Sequence, residues 1–296
     1  MDLKIKNKTV KSKAMNILTF DVEEWYHFDI YSPEDKWLSY PPRINLYLPK
    51  VLDLLDEKGI RSTFFCLGWI ARTYPGVLKQ IHERGHEIAC HTDKHLFVNQ
   101  MTPEFFSRDL KCALASIEDV IGEKVRSFRA PAFSINEQTK WAFEILAENG
   151  IETDCSIFPT TRSFGGFPSF GKAEPCRIDY RGVRIQELPI HTASILGKEM
   201  VYCGGGYFRL FPYWLIRHFL RKADYAMTYF HMRDFDHEQP RFDYLSLMRK
   251  FKSYYGLKHS YGKFLRLLND FEWENVHTAV TKINWEKARI VNLNGK

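Results

Sequence analysis

The chain has 296 residues, of which 45% are hydrophobic, and its 42 Lys and Arg residues against 36 Asp and Glu residues give a formal net charge of +6. This length is sufficient for one large α/β domain or two small ones, and so mild a positive charge does not indicate a nucleic-acid-binding protein. No segment approaches the ~18 consecutive apolar residues of a membrane helix, and the lysine-bearing N-terminus lacks the apolar core of a signal peptide. The sequence therefore predicts a soluble protein that is not secreted.

Strand-like and helix-like patterns alternate from about residue 15 to residue 235. Strands are predicted at residues 16–20, 62–67, 87–90, 125–128, 151–153, 183–190 and 226–230. Helices are predicted at residues 45–58, 74–85, 102–122, 136–149 and 212–222. Repeated βα units of this kind predict a parallel sheet or barrel. From about residue 240 the alternation stops, and the remaining segment, rich in Lys, Arg, Tyr and Phe, is predicted to be a helical extension.

The cysteine pattern predicts the compartment. There are six cysteines without any CxxC pair, and several lie in apolar, strand-like runs, as buried free thiols do. Free thiols and the missing signal peptide favour a reducing cytoplasm.

Polar side chains follow the predicted strands one after another. They are Asp21, His91, Arg129, Asp154, His191 and His231. Because a closed barrel brings the carboxyl ends of its strands around one pocket, we expect these side chains to meet in a single site.

The segment HTDKH predicts a metal site. It places His91 and His95 four residues apart on one side of a turn, and two imidazoles with one carboxylate leave a position open for water on a divalent ion. Asp21 and Glu23 follow a buried strand and can complete the site. Residues two apart project to the same face of a strand, so these two share a pocket, whereas Glu24 is predicted to be a solvated carboxylate.

Eight motifs in order resemble those of the NodB-homology polysaccharide deacetylases, carbohydrate esterase family four. They are TFDVEEW, TFFCLGWIA, GHEIACHTDKH, FRAPAFS, ETDCSIFP, ELPIH, GGGYFR and YFHMRDFD, within about residues 16–236. They are most similar to an exopolysaccharide-associated, cytosolic branch. The resemblance implies a distorted (β/α) barrel of about seven parallel strands at residues 14–239. A basic tail at residues 1–13 would precede it, and a basic and aromatic helical extension at residues 240–296 would follow.

The resemblance also implies a ligand set for the metal. It makes His91 and His95 two of the ligands. The usual second Asp of the first motif is replaced by Val22, and the acid comes one residue later, so Glu23 is the expected third ligand. Zn is the expected ion. Co or another first-row metal is an alternative, because two histidines and one carboxylate do not discriminate sharply among these ions.

The catalytic roles follow from the same resemblance. Asp21 would be the general base, and Arg129 would hold this carboxylate in place and keep it ionised. Asp154 would be an orienting partner or, alternatively, a helix N-cap. His231 would be the general acid, with His191 as second candidate. Related sequences usually read HPWE where this chain reads HMRD, so the loop after His231 is expected to differ.

The implied reaction is hydrolysis of N-acetyl groups on the amino sugars of a polysaccharide or lipid-linked glycan precursor. A backbone N–H near Ala132 or Phe133 would stabilise the oxyanion. The residues predicted to contact substrate are Trp25, Phe133, His191 and Tyr207. The lysines of the N-terminal tail and the basic extension are candidates for peripheral contact with an anionic membrane. No nucleic-acid partner is expected.

Two other functions fit the same residues. The first is hydrolysis of a non-sugar amide on the same barrel, as in allantoinase-like relatives, which a small closed pocket would favour. The second is a non-catalytic glycan-binding scaffold, which metal content after purification would distinguish from either enzyme.

Overall fold

The structure is a computed structural model that describes residues 14–27, 34–162 and 164–295. The tail predicted at residues 1–13 lies outside these ranges. The strands are β1 (Met15–Ile17), β2 (Thr19–Val22), β3 (Thr63–Cys66), β4 (Glu87–Cys90), β5 (Ser127–Phe128), β6 (Thr153–Asp154), β7 (Cys176–Tyr180), β8 (Val183–Glu187), β9 (Ala193–Ile195), β10 (Lys198–Met200), β11 (Tyr225–Met227), β12 (Phe230–His231) and β13 (Arg289–Asn292). The helices are α1 (Ile44–Glu57), α2 (Gly68–Thr73), α3 (Pro75–Glu83), α4 (Pro103–Ile121), α5 (Trp141–Glu148), α6 (Gly205–Leu210), α7 (Tyr213–Lys222), α8 (Leu247–Tyr254), α9 (Leu257–Asp270) and α10 (Val276–Lys282).

Nine strands form the main sheet in the order β12-β2-β3-β4-β5-β6-β8-β7-β13. The first seven in this order are parallel, and β7 runs antiparallel to β8. A separate parallel pair, β1 and β11, lies just before β2 and β12 in the chain. The prediction of about seven parallel strands is confirmed. Within the described residues, β12 and β13 are the edges of the sheet, so its backbone hydrogen bonds do not close a ring.

The sheet is nevertheless curled like a barrel. Arg129, directly after β5, donates a hydrogen bond of 2.7 Å to Asp21 in β2, although two strands lie between them in the sheet. An inner apolar cluster gathers buried side chains from two separate strand pairs, β1 with β11 and β3 with β4, and from the residue after β8; among them are Ile17, Phe65, Ala89, Leu188 and Met227. A larger apolar cluster packs the helices against the sheet. The two clusters define the inside and the outside of a distorted barrel.

Local sequence signals explain the best-predicted helix, α4. The Thr102 hydroxyl accepts a hydrogen bond from Phe105 N at 3.2 Å, and Pro103 occupies the first helical position. Gly122 ends the helix with φ 73°, a left-handed conformation that glycine adopts without strain. The cap, the proline and the glycine are local signals that mark both ends of the helix.

The segment after residue 240 contains three helices and also one strand that the sequence did not predict. α9 packs on the short 3-10 turn Met232–Phe235, and β13 extends the main sheet next to β7. Val276 N at the start of α10 donates to Thr63 Oγ1 in β3 at 2.8 Å. These contacts tie the segment to the same sheet that carries the site.

No helix within residues 14–27, 34–162 and 164–295 has both the length and the apolar character needed to cross a membrane. All six cysteines are free thiols, and five of them are buried, as the sequence predicted.

Candidate active site

The carboxyl ends of the parallel strands open into a cavity of about 740 Å3. The strand register explains why polar residues collect there, because Asp21 in β2 pairs with His231 in β12. Five of the sequence-predicted site residues with ionisable side chains line this cavity. They are Asp21, Glu23, His91, His95 and His231.

Glu23 lies with the two predicted histidines. The ligand atoms of Glu23, His91 and His95 are all within 4.8 Å of one another. His95 Nε2 is 2.6 Å from Glu23 Oε2. His91 Nδ1 is 2.7 Å from the carbonyl oxygen of Arg129, which leaves Nε2 as the ligand atom of this ring.

The three side chains fit a divalent metal ion. Burial lowers the pKa of His91 to about 4, so the ring is neutral and can offer a lone pair. Burial raises the pKa of Glu23, but the facing His95 and His231 outweigh this and hold it well below its usual range. Glu23 Oε2 is buried and faces His95 Nε2, so the two atoms can share one ion as ligands.

The loop that carries the histidines is held in an unusual backbone conformation. Thr92 and His95 have φ of 70° and 56°, which L residues rarely adopt and which costs ~1–3 kcal/mol per residue. Asp93 anchors the loop, since both of its carboxylate oxygens accept hydrogen bonds from Arg72, at 2.6 and 2.9 Å. Asp93 N donates to Asp109 Oδ2 at 2.8 Å. This network, in which Asp93 and Asp109 are buried, keeps the strained loop, and hence the two imidazoles, in place.

Asp21 is held by Arg129. One guanidinium nitrogen donates to Asp21 Oδ1 at 2.7 Å and to Thr19 Oγ1 at 2.8 Å. The guanidinium is fully buried and lies 4.0 Å from the centre of the Phe65 ring. Burial raises the pKa of Asp21, but Arg129 and the neighbouring histidines outweigh it and lower the pKa below its usual value. The carboxylate is therefore ionised, and its Oδ2 faces the cavity.

His231 lies close to both Asp21 and Glu23. Its Nε2 is 3.7 Å from Asp21 Oδ2 and 3.7 Å from Glu23 Oε1. Its Nδ1 is 2.9 Å from Asp234 Oδ2, which also accepts a hydrogen bond from His231 N at 3.0 Å. Burial lowers the pKa of His231, but the carboxylates of Glu23, Asp234 and Asp21 outweigh it and raise the pKa to about 9. The ring is thus protonated and oriented, as a general acid requires.

Asp154 does not line the cavity but contacts residues next to Arg129. Ser156 Oγ donates to Asp154 Oδ1 at 2.6 Å and accepts from Ala130 N at 2.8 Å, next to Arg129. Burial raises the pKa of both Asp154 and its neighbour Glu187. The pKa of Glu187 is raised well above its usual value, so Glu187 is the protonated carboxyl group of this pair. These contacts relate Asp154 to the backbone beside Arg129, and its orienting role stays a prediction.

Of the predicted substrate contacts, Phe133 and Tyr207 line the cavity. Phe133 N already donates to Ala130 O at 3.0 Å. This leaves the Ala132 N–H as the candidate for oxyanion stabilisation.

Trp25 and His191 do not line the cavity. Trp25 is only 4% exposed, because its ring packs against Tyr40 and Phe242, so it cannot stack on a sugar from the surface as predicted. His191 Nδ1 is 3.0 Å from the Tyr202 hydroxyl. The structure therefore favours His231 over His191 as the acid.

The interpretation of Glu24 as a solvated carboxylate is wrong. Its side chain is 1% exposed, and its Oε1 accepts hydrogen bonds from Arg43 N and Ile44 N at 2.8 and 2.9 Å. Glu24 thus satisfies free N–H groups at the start of α1. This leaves Glu23 as the carboxylate beside the histidines.

Asp234 and Arg162 are among the cavity residues that the sequence analysis did not single out. Asp234 could have been found, because an acid three residues after His231 at the start of a turn is the spacing of a capping box. Arg162 lines the cavity from an irregular loop, and its position depends on tertiary packing that no local pattern reveals.

A mostly parallel, curled sheet with helices outside and a His-His-Glu cluster at its strand ends is typical of (β/α)-barrel proteins with a metal site. Residues 8–152 match the family model described as "Polysaccharide deacetylase", and this part of the chain belongs to that family. Residues 155–281 match a second model, described as "Domain of unknown function (DUF3473)".

Three curated relatives carry deacetylase names. A peptidoglycan-N-acetylglucosamine deacetylase of Bacillus cereus is 33% identical over 36% of this chain and 48% of its own length. Chitin deacetylase 1 of Cryptococcus neoformans is 31% identical over 42% of this chain and 26% of its own length. A chitooligosaccharide deacetylase of Azorhizobium caulinodans is 33% identical over 28% and 40%. The chain spans less than half the length of each of these relatives.

Solved structures share the fold at low sequence identity. A Mycobacterium smegmatis protein assigned to the polysaccharide deacetylases superposes with a TM-score of 0.66 and 16% identity, over 96% of this chain and 95% of that one. A carbohydrate esterase family 4 pseudoenzyme of Bacillus anthracis gives a TM-score of 0.52 and 12% identity, over 95% and 70%. These similarities extend the assigned fold over the C-terminal half of the chain.

Proposed function

We propose that this protein is a metal-dependent hydrolase that removes N-acetyl groups from the amino sugars of a polysaccharide or lipid-linked glycan precursor. One observation carries the proposal. The Glu23, His91 and His95 cluster adjoins an ionised carboxylate, Asp21, and a protonated imidazole, His231, in one cavity.

The proposed ligands are His91 Nε2, His95 Nε2 and a Glu23 carboxylate oxygen. A divalent ion bound there would polarise the acetyl carbonyl and lower the pKa of a water molecule to roughly 7. We propose Zn as this ion, because two imidazoles and one carboxylate are common ligands of Zn. Co binds the same types of ligand and is the alternative.

Asp21 is the proposed general base. Arg129 occupies its Oδ1, so Oδ2 is the atom that takes the proton from the attacking water. Because Arg129 is buried and fixed by Thr19, the carboxylate does not reorient during the reaction. The Ala132 N–H is the proposed oxyanion donor, from a residue whose left-handed backbone (φ 53°) is itself strained.

His231 is the proposed general acid. Its Nε2 is 3.7 Å from Asp21 Oδ2, so a scissile amide bound against both residues has the base and the acid within reach of its reacting carbon and nitrogen. Transfer of the Nε2 proton to the departing nitrogen releases an amine, while Asp234 stabilises the imidazolium until it reacts.

The shape of the cavity supports a sugar substrate over a small amide. Its volume of about 740 Å3 is lined by aromatic rings that can stack on sugars, including Phe97, Phe164, Tyr207 and Tyr229. A pocket for a small amide would be narrower and closed.

We further propose that the protein works in the cytoplasm, at the inner face of an anionic membrane. The free cysteines fit a reducing compartment. Leu247 on α8 is 86% exposed, and Lys250 lies on the same helix beside the cavity. Apolar and cationic side chains together are typical of surfaces that bind anionic lipid headgroups.

Acetate release from N-acetylated oligosaccharides tests the function. The purified protein, loaded with one equivalent of Zn, is expected to release acetate and leave a free amine that mass spectrometry detects. His91→Ala is expected to abolish both metal retention and acetate release. Equal acetate release by this variant would overturn the proposal.

A further inference from the structure

The cavity lining keeps an excess of positive charge after each of its carboxylates is paired with a cation. Three carboxylates line it: Asp21, Glu23 and Asp234. Asp21 pairs with Arg129, Glu23 faces His95, and Asp234 pairs with both His231 and Arg209. All the negative charge of the lining therefore has a partner already.

Besides Arg233, whose Nε donates to Gln239 Oε1 at 3.1 Å, three other cations line the same cavity: Arg162, Arg249 and Lys252. Within residues 14–27, 34–162 and 164–295, none of the three forms an ion pair with a carboxylate. They differ in this from most of the surface arginines, such as Arg84, which bridges Asp53 and Asp56.

Arg162 is the most constrained of the three cations. Its guanidinium lies 4.9 Å from the Phe158 ring centre, 5.1 Å from that of Phe133 and 5.8 Å from that of Tyr229. Its NH1 nitrogen is buried and finds no hydrogen-bond acceptor in the described part of the chain. A buried guanidinium donor without an acceptor is costly, and an anion delivered by a ligand removes that cost.

Arg249 and Lys252 approach from the other side of the cavity. They lie three residues apart on α8, hence on one face of the helix. The Arg249 guanidinium stacks 4.7 Å from the centre of the Phe164 ring, and Phe164 lies two residues after Arg162 in the sequence. The guanidinium plane is therefore fixed by an aromatic ring while its N–H groups remain free for a ligand.

We propose that the substrate is an anionic glycan, with a carboxylate or phosphate group close to the N-acetylated sugar, and that Arg162, Arg249 and Lys252 bind this group. The inference rests on the proposed function, because it assigns a substrate class to the same cavity. Either a uronic acid carboxylate or the phosphate of a lipid-linked precursor supplies the required charge.

Binding to three probes tests this inference separately from catalysis. The probes are a neutral N-acetylchitotetraose, a tetrasaccharide of alternating N-acetylglucosamine and glucuronate, and N-acetylglucosamine linked through diphosphate to a short prenyl chain. Isothermal titration calorimetry on the metal-loaded protein is expected to show at least tenfold tighter binding of one charged probe than of the neutral one. The tighter of the two charged probes identifies the source of the anion.

Substitutions then assign the cations. Arg162→Gln, and the double change Arg249→Gln with Lys252→Gln, are each expected to weaken the charged probe at least tenfold and the neutral probe less than twofold. Arg217→Gln and Arg266→Gln, in a separate cavity between α7 and α9, are the matched controls and should change neither. If Arg162→Gln fails to fold, the double variant on α8 decides.

Equal binding of charged and neutral probes by the wild type overturns the inference, as does equal weakening of both probes by the variants. Acetate release is recorded in parallel. Selective binding of a charged probe without acetate release from any probe supports the anion site and refutes the proposed deacetylase activity, so the two failures are distinguishable.

Discussion

Replacement of Asp234 by Asn isolates the contribution of one buried hydrogen bond to the proposed general acid. Asp234 Oδ2 contacts both the Nδ1 and the backbone N of His231, at 2.9 and 3.0 Å, and its side chain is 4% exposed. Hydrogen bonds to charged groups contribute ~1.5–3 kcal/mol, and each 1.4 kcal/mol is tenfold in rate. Asp234→Asn keeps the shape but removes the charge, so we expect kcat to fall roughly 10- to 150-fold, with KM nearly unchanged.

The pH profile distinguishes this role from a purely structural one. The acid must be protonated, so activity is lost as the pH rises through its pKa. The Asp234 carboxylate contributes to raising the pKa of His231 to about 9. The variant should therefore lose activity at a lower pH than the wild type does. A second readout is an activated acetate ester, whose leaving group needs no proton and which the variant should hydrolyse almost normally.

His231→Ala is the reference for this test, and His191→Ala is the control outside the cavity. The first should be severely impaired on N-acetylated sugars yet active on the ester, with metal still bound, whereas the second should weaken both activities by a similar, small factor. The reasoning is refuted if Asp234→Asn leaves both the amide rate and the alkaline limb unchanged. An ester-sparing defect at His191 instead of His231 would move the acid there.

Two further predictions concern the base and the packing around the cavity. Asp21→Asn should retain bound metal and lower turnover at least ~100-fold, while Glu23→Gln should lose metal; the opposite pattern in metal analysis would exchange their roles. Gly204→Ala should lower thermal stability by an amount equivalent to ~1–3 kcal/mol, because a Cβ there would lie 2.3 Å from the Tyr229 ring. Gly262→Ala in α9, with nothing within 4 Å of the new Cβ, is the control and should be neutral or slightly stabilising, and equal melting temperatures for both variants would contradict the packing argument.

The elements that the sequence predicted well are those with local signals. β4 has its predicted bounds, Glu87–Cys90, and α4 begins and ends within one residue of prediction, because its cap, its proline and its glycine act within a few residues. β7 and β13 were not predicted. Both are outer strands of the sheet, and β13 alternates half-buried and exposed residues without a strong apolar pattern.

The same distinction applies to the site. Alternation along a strand placed Asp21 and Glu23 on one face, and the histidine spacing paired His91 with His95, so these residues were accessible to local reasoning. The burial of Glu24 was not, since it depends on where α1 begins in space, 20 residues farther along the chain. Trp25 was misjudged for a similar reason, because Phe242, which covers its ring, lies more than 200 residues away.

Metal content measured together with acetate release tests the central claim most directly. The wild type, the single variants His91→Ala and His95→Ala, and the control Gly262→Ala would be purified in parallel and analysed for bound metal and for acetate released from an N-acetylated oligosaccharide. We predict about one divalent ion per chain and acetate release in the wild type and the control, and loss of most metal and of activity in both histidine variants with folding intact. Stoichiometric metal in both histidine variants, or acetate release that persists after complete removal of metal from the wild type, would contradict the account.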